Sequence, residues 1–103
     1  MSNTTNLEVA QTILSQLGGT RRLNLMTGAK NFVGRADGVT FKVGRNGKKV
    51  THVEITLRAD DTYDVRFLWV RGTNVIERHK TEGAYNDMLR PLFEAQTGMY
   101  LSF

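Results

Sequence analysis

Residues 51–71, THVEITLRADDTYDVRFLWVR, decide the fold class. On either side of Asp60-Asp61 the chain alternates in character. Thr51, Val53, Ile55 and Leu57 share one side of an extended segment, against His52, Glu54, Thr56 and Arg58 on the other; Tyr63, Val65, Phe67 and Trp69 are likewise opposed by Asp64, Arg66, Leu68 and Val70. A period of two is that of a strand buried on one face, because successive side chains leave a strand in opposite directions. Two such strands joined by a short acidic turn pair antiparallel with each other.

Upstream, Val39, Phe41 and Val43 alternate with Thr40 and Lys42 between Asp37-Gly38 and Asn46-Gly47. Both dipeptides favour two-residue hairpin turns, whose central positions need positive φ. Downstream, Arg71-Gly72-Thr73-Asn74 closes the Trp69 strand, and Val75 to His79 supply a short last one. The dense segment Gly18 to Phe32, GGTRRLNLMTGAKNF, joins the N-terminal region to this sheet. Its Leu23, Leu25 and Met26 read as a core-facing first strand, with Thr27-Gly28 as a turn or bulge before the next.

The ends of the chain change period. Thr5-Asn6-Leu7-Glu8 has the capping-box pattern, Leu7, Ala10, Leu14 and Leu17 recur at helical spacing, Val9 and Ile13 widen the stripe, and Gly18 offers a stop, so a helix is expected over residues 5 to 17. From Glu82 to Thr97 a second helix is expected, with Tyr85, Met88, Leu89, Leu92, Phe93 and Gln96 on its apolar side. Pro91 interrupts it, which predicts either a kink near Asp87 or a helix that restarts with Pro91 in its first turn. The tail Met99-Tyr100-Leu101-Ser102-Phe103 is apolar and reads as an edge strand or as a self-association surface that would make homo-oligomers. Residues 1–103 thus form one α+β domain: N-terminal helix, antiparallel meander of about five strands, C-terminal helix, both helices on one sheet face. The other face is left open for binding.

Composition narrows the function classes. The chain has no cysteine, so disulfides, thiolate zinc sites and cysteine nucleophiles are excluded. No stretch is apolar enough for a membrane helix and Met1 to Asn6 lacks a signal-peptide core, which sets the expectation of a cytoplasmic protein with no membrane partner. The net charge of +4 is unevenly spread: residues 1–50 hold eight lysines and arginines with Glu8 and Asp37, while residues 51–103 hold six with eight carboxylates. A basic half attracts polyanions, though a modest excess also serves as a solvated surface.

Catalytic patterns are absent. His52 and His79 fall in different strands without a metal-ligand partner at helical or strand spacing, and a strand histidine beside Glu54, Asp64 or Glu77 reads as a surface pair. Ser2, Ser15 and Ser102 lie outside any G-x-S-x-G elbow, Gly28-Ala29-Lys30 lacks the spacing of a phosphate loop, and Asp60, Asp61 and Asp64 lack the rest of a calcium loop. The reading is a non-enzyme with no cofactor and no metal. Arg21, Arg22, Lys30, Arg35, Lys42, Arg45, Lys48 and Lys49 remain as candidate contacts to nucleic acid or a partner, converging at one edge of the sheet. Phe41, Phe67 and Trp69 read as core, leaving Phe32 or Tyr63 as the exposed aromatics.

LGGTRRLNLMTGAKNFVG, THVEITLRADDTYDVRFLWVRG and EGAYNDMLRPLFEAQTGMYLSF together resemble small, largely uncharacterised proteins of bacteriophages, plasmids and other mobile elements. These combine an LGG motif, M-T-G-A-K-N-F, a TYD strand and a C-terminal TG-x-Y segment. The resemblance runs from about Ile13 to Leu101 and transfers no site residue. It implies a mobile-element setting, in which a basic protein binds nucleic acid or a host nucleoprotein, or else acts as a protein-interaction module that inhibits a host defence effector, as anti-CRISPR proteins do, through the open sheet face or the apolar tail.

Overall fold

The computed structural model describes residues 2–99, with side chains from Glu8 onward. Helix α1 runs Ser2–Gln16 and helix α2 Thr20–Thr27; five strands follow, β1 Lys30–Arg35, β2 Gly38–Lys42, β3 His52–Leu57, β4 Tyr63–Arg71 and β5 Asn74–Ala84. A 3-10 turn over Asn86–Met88 leads into helix α3, Leu89–Thr97. The strands form one antiparallel sheet in the order β1-β2-β3-β4-β5, the meander expected from the alternation. Val39, Phe41, Val53, Ile55, Val65 and Phe67 from the sheet, Ile13 and Leu17 from α1, Leu23 from α2 and Leu89 and Phe93 from α3 belong to one buried cluster. All three helices therefore cover the same sheet face.

The dense segment after α1 is helical where a strand was expected. Leu23 is fully buried, but Leu25 is 67% exposed, so the apolar residues of 23–26 do not share a strand face. The helical period wins because Leu23 and Thr27, four apart, both turn to the core. Thr27-Gly28 is accordingly a helix end: Gly28, at φ 70, donates its N–H to the Asn24 carbonyl. The first strand starts only at Lys30.

Other boundaries shift for identifiable reasons. α1 starts at Ser2, so Thr5 lies inside the helix rather than at its start. In the β1–β2 turn the register pairs Arg35 with Gly38, leaving Ala36 and Asp37 as the central residues in place of Asp37 and Gly38. Asn46-Gly47 belongs to a longer connection over 43–51, closed by the Asn46 side chain: Nδ2 donates to the carbonyls of Gly44 (2.9 Å) and Val50 (2.7 Å), and Oδ1 accepts from Val50 N–H (3.1 Å). Asp60 organises the β3–β4 turn by accepting from Thr62 N–H at 3.2 Å and Oγ1 at 2.5 Å. β5 continues to Ala84, well past His79, because it pairs along the whole of β4. The C-terminal helix restarts at Leu89 with Pro91 in its first turn, where the missing N–H costs nothing. This displaces Tyr85 and Met88 from the apolar side, and both are exposed. Met99 packs against the core, while the remaining tail, 100–103, lies outside the described residues.

Candidate functional site

Strand register converts the charge distribution along the sequence into one along the molecule. Lys30 pairs with Lys42, Lys42 with His52, His52 with Leu68, and β4 and β5 meet beyond that row at Arg71 and Asn74. These rows and loop 43–51 make one end of the sheet. The opposite end holds the β1–β2 and β3–β4 turns and the close of β5, hence Asp37, Asp60, Asp61, Asp64 and Glu82. There four of the five carboxylates are tied to cations: Arg58 to Asp64 at 3.0 Å and Asp60 at 3.8 Å, Lys80 to Glu82 at 3.1 Å, and Arg35 to Asp37 at 3.4 Å. The first end collects Lys30, Lys42, Arg45, Lys48, Lys49, Arg71 and Arg78, and neither residues 42–51 nor 71–74 contain a carboxylate. Among the described residues no ion pair engages any of these seven cations.

Trp69 is the centre of that end. It is the sole tryptophan of the chain and half-buried, two residues beyond the fully buried Phe67 on the same strand. Lys49 Nζ lies 5.2 Å from the ring centroid, Arg71 Cζ 5.3 Å and Arg78 Cζ 5.8 Å, all within cation–π range. Each cation arrives by a different device. Arg71 is two residues along the same strand and so on the same face. Lys49, at φ 58, projects from the loop that Asn46 closes and that Val43 and Val50 anchor in the core. Thr51 fastens the same loop to β4, its N–H donating to the Leu68 carbonyl (2.8 Å) and its Oγ1 accepting from Val70 N–H (2.7 Å). Arg78 is the extra residue of a bulge: Phe67 pairs with His79 and Leu68 with Glu77, so Arg78 has no register partner. In an unbroken ladder it would stand opposite Leu68 on the uncovered sheet face; the bulge turns it towards Trp69.

Two concavities meet at this ring. One, of about 540 Å³, is lined by Lys42 to Asn46, Lys49 to Thr51 and Trp69. The other, of about 390 Å³, is lined by Trp69, Arg71, Gly72, Asn74 and Ile76. Trp69 is the wall common to both.

Of the eight residues expected to converge, Lys30, Lys42, Arg45, Lys48 and Lys49 lie at this end. Arg21 and Arg22 do not. They occupy the first turn of α2, where Arg22 packs along Gly18 beside Arg90, while the other end of α2 meets Gly44 through its N–H bond to the Thr27 carbonyl (2.8 Å). Arg35 is structural: Nη2 reaches the Ile55 carbonyl (3.1 Å) and Thr56 Oγ1 (3.3 Å), tying the first turn to β3. Trp69 itself was expected in the core, and Tyr63, expected outside, is buried; Phe32 is partly covered and stacks at 5.3 Å from Phe41. Arg71 and Arg78 lie in the half of the sequence with excess negative charge, where a charge count does not single them out. The spacing Trp69-x-Arg71 was a readable signal for one of them.

The uncovered sheet face is not a basic surface. Its central Arg66 is held between Glu77 and Glu54, at 2.8 Å from each, and those two hydrogen bonds, Glu77 first, raise the guanidinium pKa. His52 on the same face accepts or donates to Thr51 Oγ1 at 2.9 Å. Burial, and secondly the charge of Lys42, lower its pKa below the ordinary 6.5. A folded-state pKa below the unfolded one means that stability is complete above about pH 6.5 and declines as pH falls through the folded value. The urea midpoint is expected to drop between pH 7 and 5, and His52→Gln to remove that part of the slope. His79 lies on the opposite face, 6.2 Å from Phe67 and 3.0 Å from Thr81 Oγ1. Neither histidine lines the concavities at Trp69. Among the described residues no group of three or more acidic or histidine side chains is placed to hold a metal ion, and no helix is long and apolar enough to cross a membrane.

Fold and site together define an α+β meander with a cationic end at which one tryptophan sits. Comparison with protein-family models, with curated proteins and with solved structures gives no match.

Proposed function

We propose that this chain is a non-enzymatic nucleic-acid-binding module whose phosphate contacts are made by the cationic end of the sheet, in the mobile-element setting that its sequence resembles. The observation that carries the reading is the gathering of seven cations at one end of the sheet, none in an ion pair among the described residues, three of them within 5.8 Å of the half-buried Trp69 ring. Unpaired cations at close quarters repel one another, so a polyanion that bridges them relieves a cost the folded protein otherwise bears. Phosphates spaced along a strand are such a polyanion, and displacing their counterions adds the entropic part of the affinity. The nucleic acid of a host nucleoprotein presents the same phosphates and fits the same surface. Nothing in the arrangement reads base edges, so binding is expected to be weakly sequence-specific.

A titration of labelled oligonucleotide at several salt concentrations tests this. With about five to seven phosphate contacts, log K is expected to fall linearly with log salt with a slope of about −4 to −6. Salt-insensitive binding, or none at low salt, would overturn the reading.

A further inference from the structure

We propose that the cationic end selects single-stranded nucleic acid over duplex, with Trp69 as a stacking platform that its own cations cover until phosphates draw them away. This rests on the phosphate-binding reading above and goes further, by assigning the state of the nucleic acid. Three cations surround one aromatic ring, and each such contact at a partly exposed position is weak, equivalent to a factor of about two to five. A charge-assisted hydrogen bond from the same ammonium or guanidinium to a phosphate oxygen is stronger. When a polyphosphate strand arrives, Lys49, Arg71 and Arg78 gain by leaving the ring, and the indole face is vacated.

What takes that face is set by geometry. Trp69 separates two concavities, so a chain laid across the ends of β5, β4, β3 and β2, a path of about 14 Å at ordinary strand spacing, passes over the ring with room on both sides. That path spans a few nucleotides. An unstacked base can lie on the indole while its flanking phosphates meet Arg71 and Arg78 on one side and Lys49, Arg45 and Lys42 on the other. In a duplex the bases are already stacked and paired, and only the phosphates are offered. A single strand therefore gains stacking on top of the charge contacts, worth about 5- to 150-fold per base. An acidic protein would satisfy the cations and leave the ring without a partner.

The test uses the tryptophan as its own reporter, since it is the only one in the chain. The whole protein is titrated with a single-stranded 12-mer, with the matching duplex and with heparin, following Trp69 fluorescence together with anisotropy of the labelled ligand. The single strand is expected to bind tightest and to quench the emission, while duplex and heparin bind without comparable quenching. Trp69→Leu is expected to lose about 5- to 150-fold in affinity for the single strand and little for heparin, with Trp69→Phe keeping most of the preference. Equal affinity for single strand and duplex, with no quenching by either, would overturn single-strand selection while leaving phosphate binding in place. Heparin binding as tightly as the single strand would do the same, because charge alone would then account for the affinity. Failure of all ligands to bind at low salt would overturn both proposals.

Discussion

The triple variant Lys49→Gln, Arg71→Gln, Arg78→Gln is expected to bind single-stranded oligonucleotide about 100-fold more weakly than the parent at about 0.1 M salt. The figure follows from counterion release. Three lost phosphate contacts lower the salt slope by about 2 for a single strand, and at about 0.1 M that slope converts to about two decades of affinity. The two measurements check each other, because a loss of affinity with an unchanged slope would mean that the substitutions act other than by removing charge contacts. The double variant Arg21→Gln, Arg22→Gln makes the contrast. It removes two cations that the sequence groups with the rest, yet they sit in the first turn of α2, about 8 Å along the helix from the end that meets Gly44. It is expected to cost markedly less per charge. An equal loss per charge in the two variants would show that net charge matters and the cationic end does not. Stability is expected to change little in the triple variant, since none of the three side chains is in an ion pair among the described residues.

Gly38→Ala is expected to cost about 3 kcal/mol or more, a large share of the stability of a domain this size. Gly38 opens β2 opposite Thr56, and a Cβ built there would fall 2.0 Å from the Ile55 carbonyl oxygen and 2.9 Å from Arg35 Nη2. The nearer contact is backbone, in the middle of the sheet, and cannot swing aside. The farther one is the guanidinium that binds the same carbonyl, so any shift that relieves the first clash also breaks the hydrogen bonds of Arg35 to Ile55 and Thr56. Urea denaturation at neutral pH measures the loss. A cost below about 1 kcal/mol would mean that the turn relaxes freely and that Arg35 is not the clamp described. Gly47→Ala is the control, since a Cβ there meets nothing within 4 Å.

Much of the architecture was legible because burial on one face of a strand leaves a period of two, and the residues 39–43, 53–57 and 63–67 keep it. Local chemistry also marked Asp60-Asp61 and Arg71 to Asn74 as reversals. Leu23 to Met26 is ambiguous in sequence, because three apolar residues in four suit either period; only the core, which receives Leu23 and Thr27 and leaves Leu25 in water, distinguishes them. Boundaries of β5 and α3 moved for a similar reason, since the length of an edge strand is set by the strand it pairs with.

The site followed a different rule. That the chain is an α+β meander with an excess of basic charge and no cysteine chemistry was determined by its residues alone, since composition and periodicity are properties of the order of side chains. Which cations act together was decided only by tertiary structure. Antiparallel register brings Arg71 and Arg78 beside Lys49, although the sequence places them in its acidic half, and it sends Arg35 to the far end of the same sheet. A one-residue bulge then turns Arg78 from one face to the other, towards the half-buried Trp69, at the end where no ion pair among the described residues engages the cations. Charge adds up over distances of several ångströms in space, whatever the separation along the chain, so the surface that carries the proposed function exists only once the strands are paired.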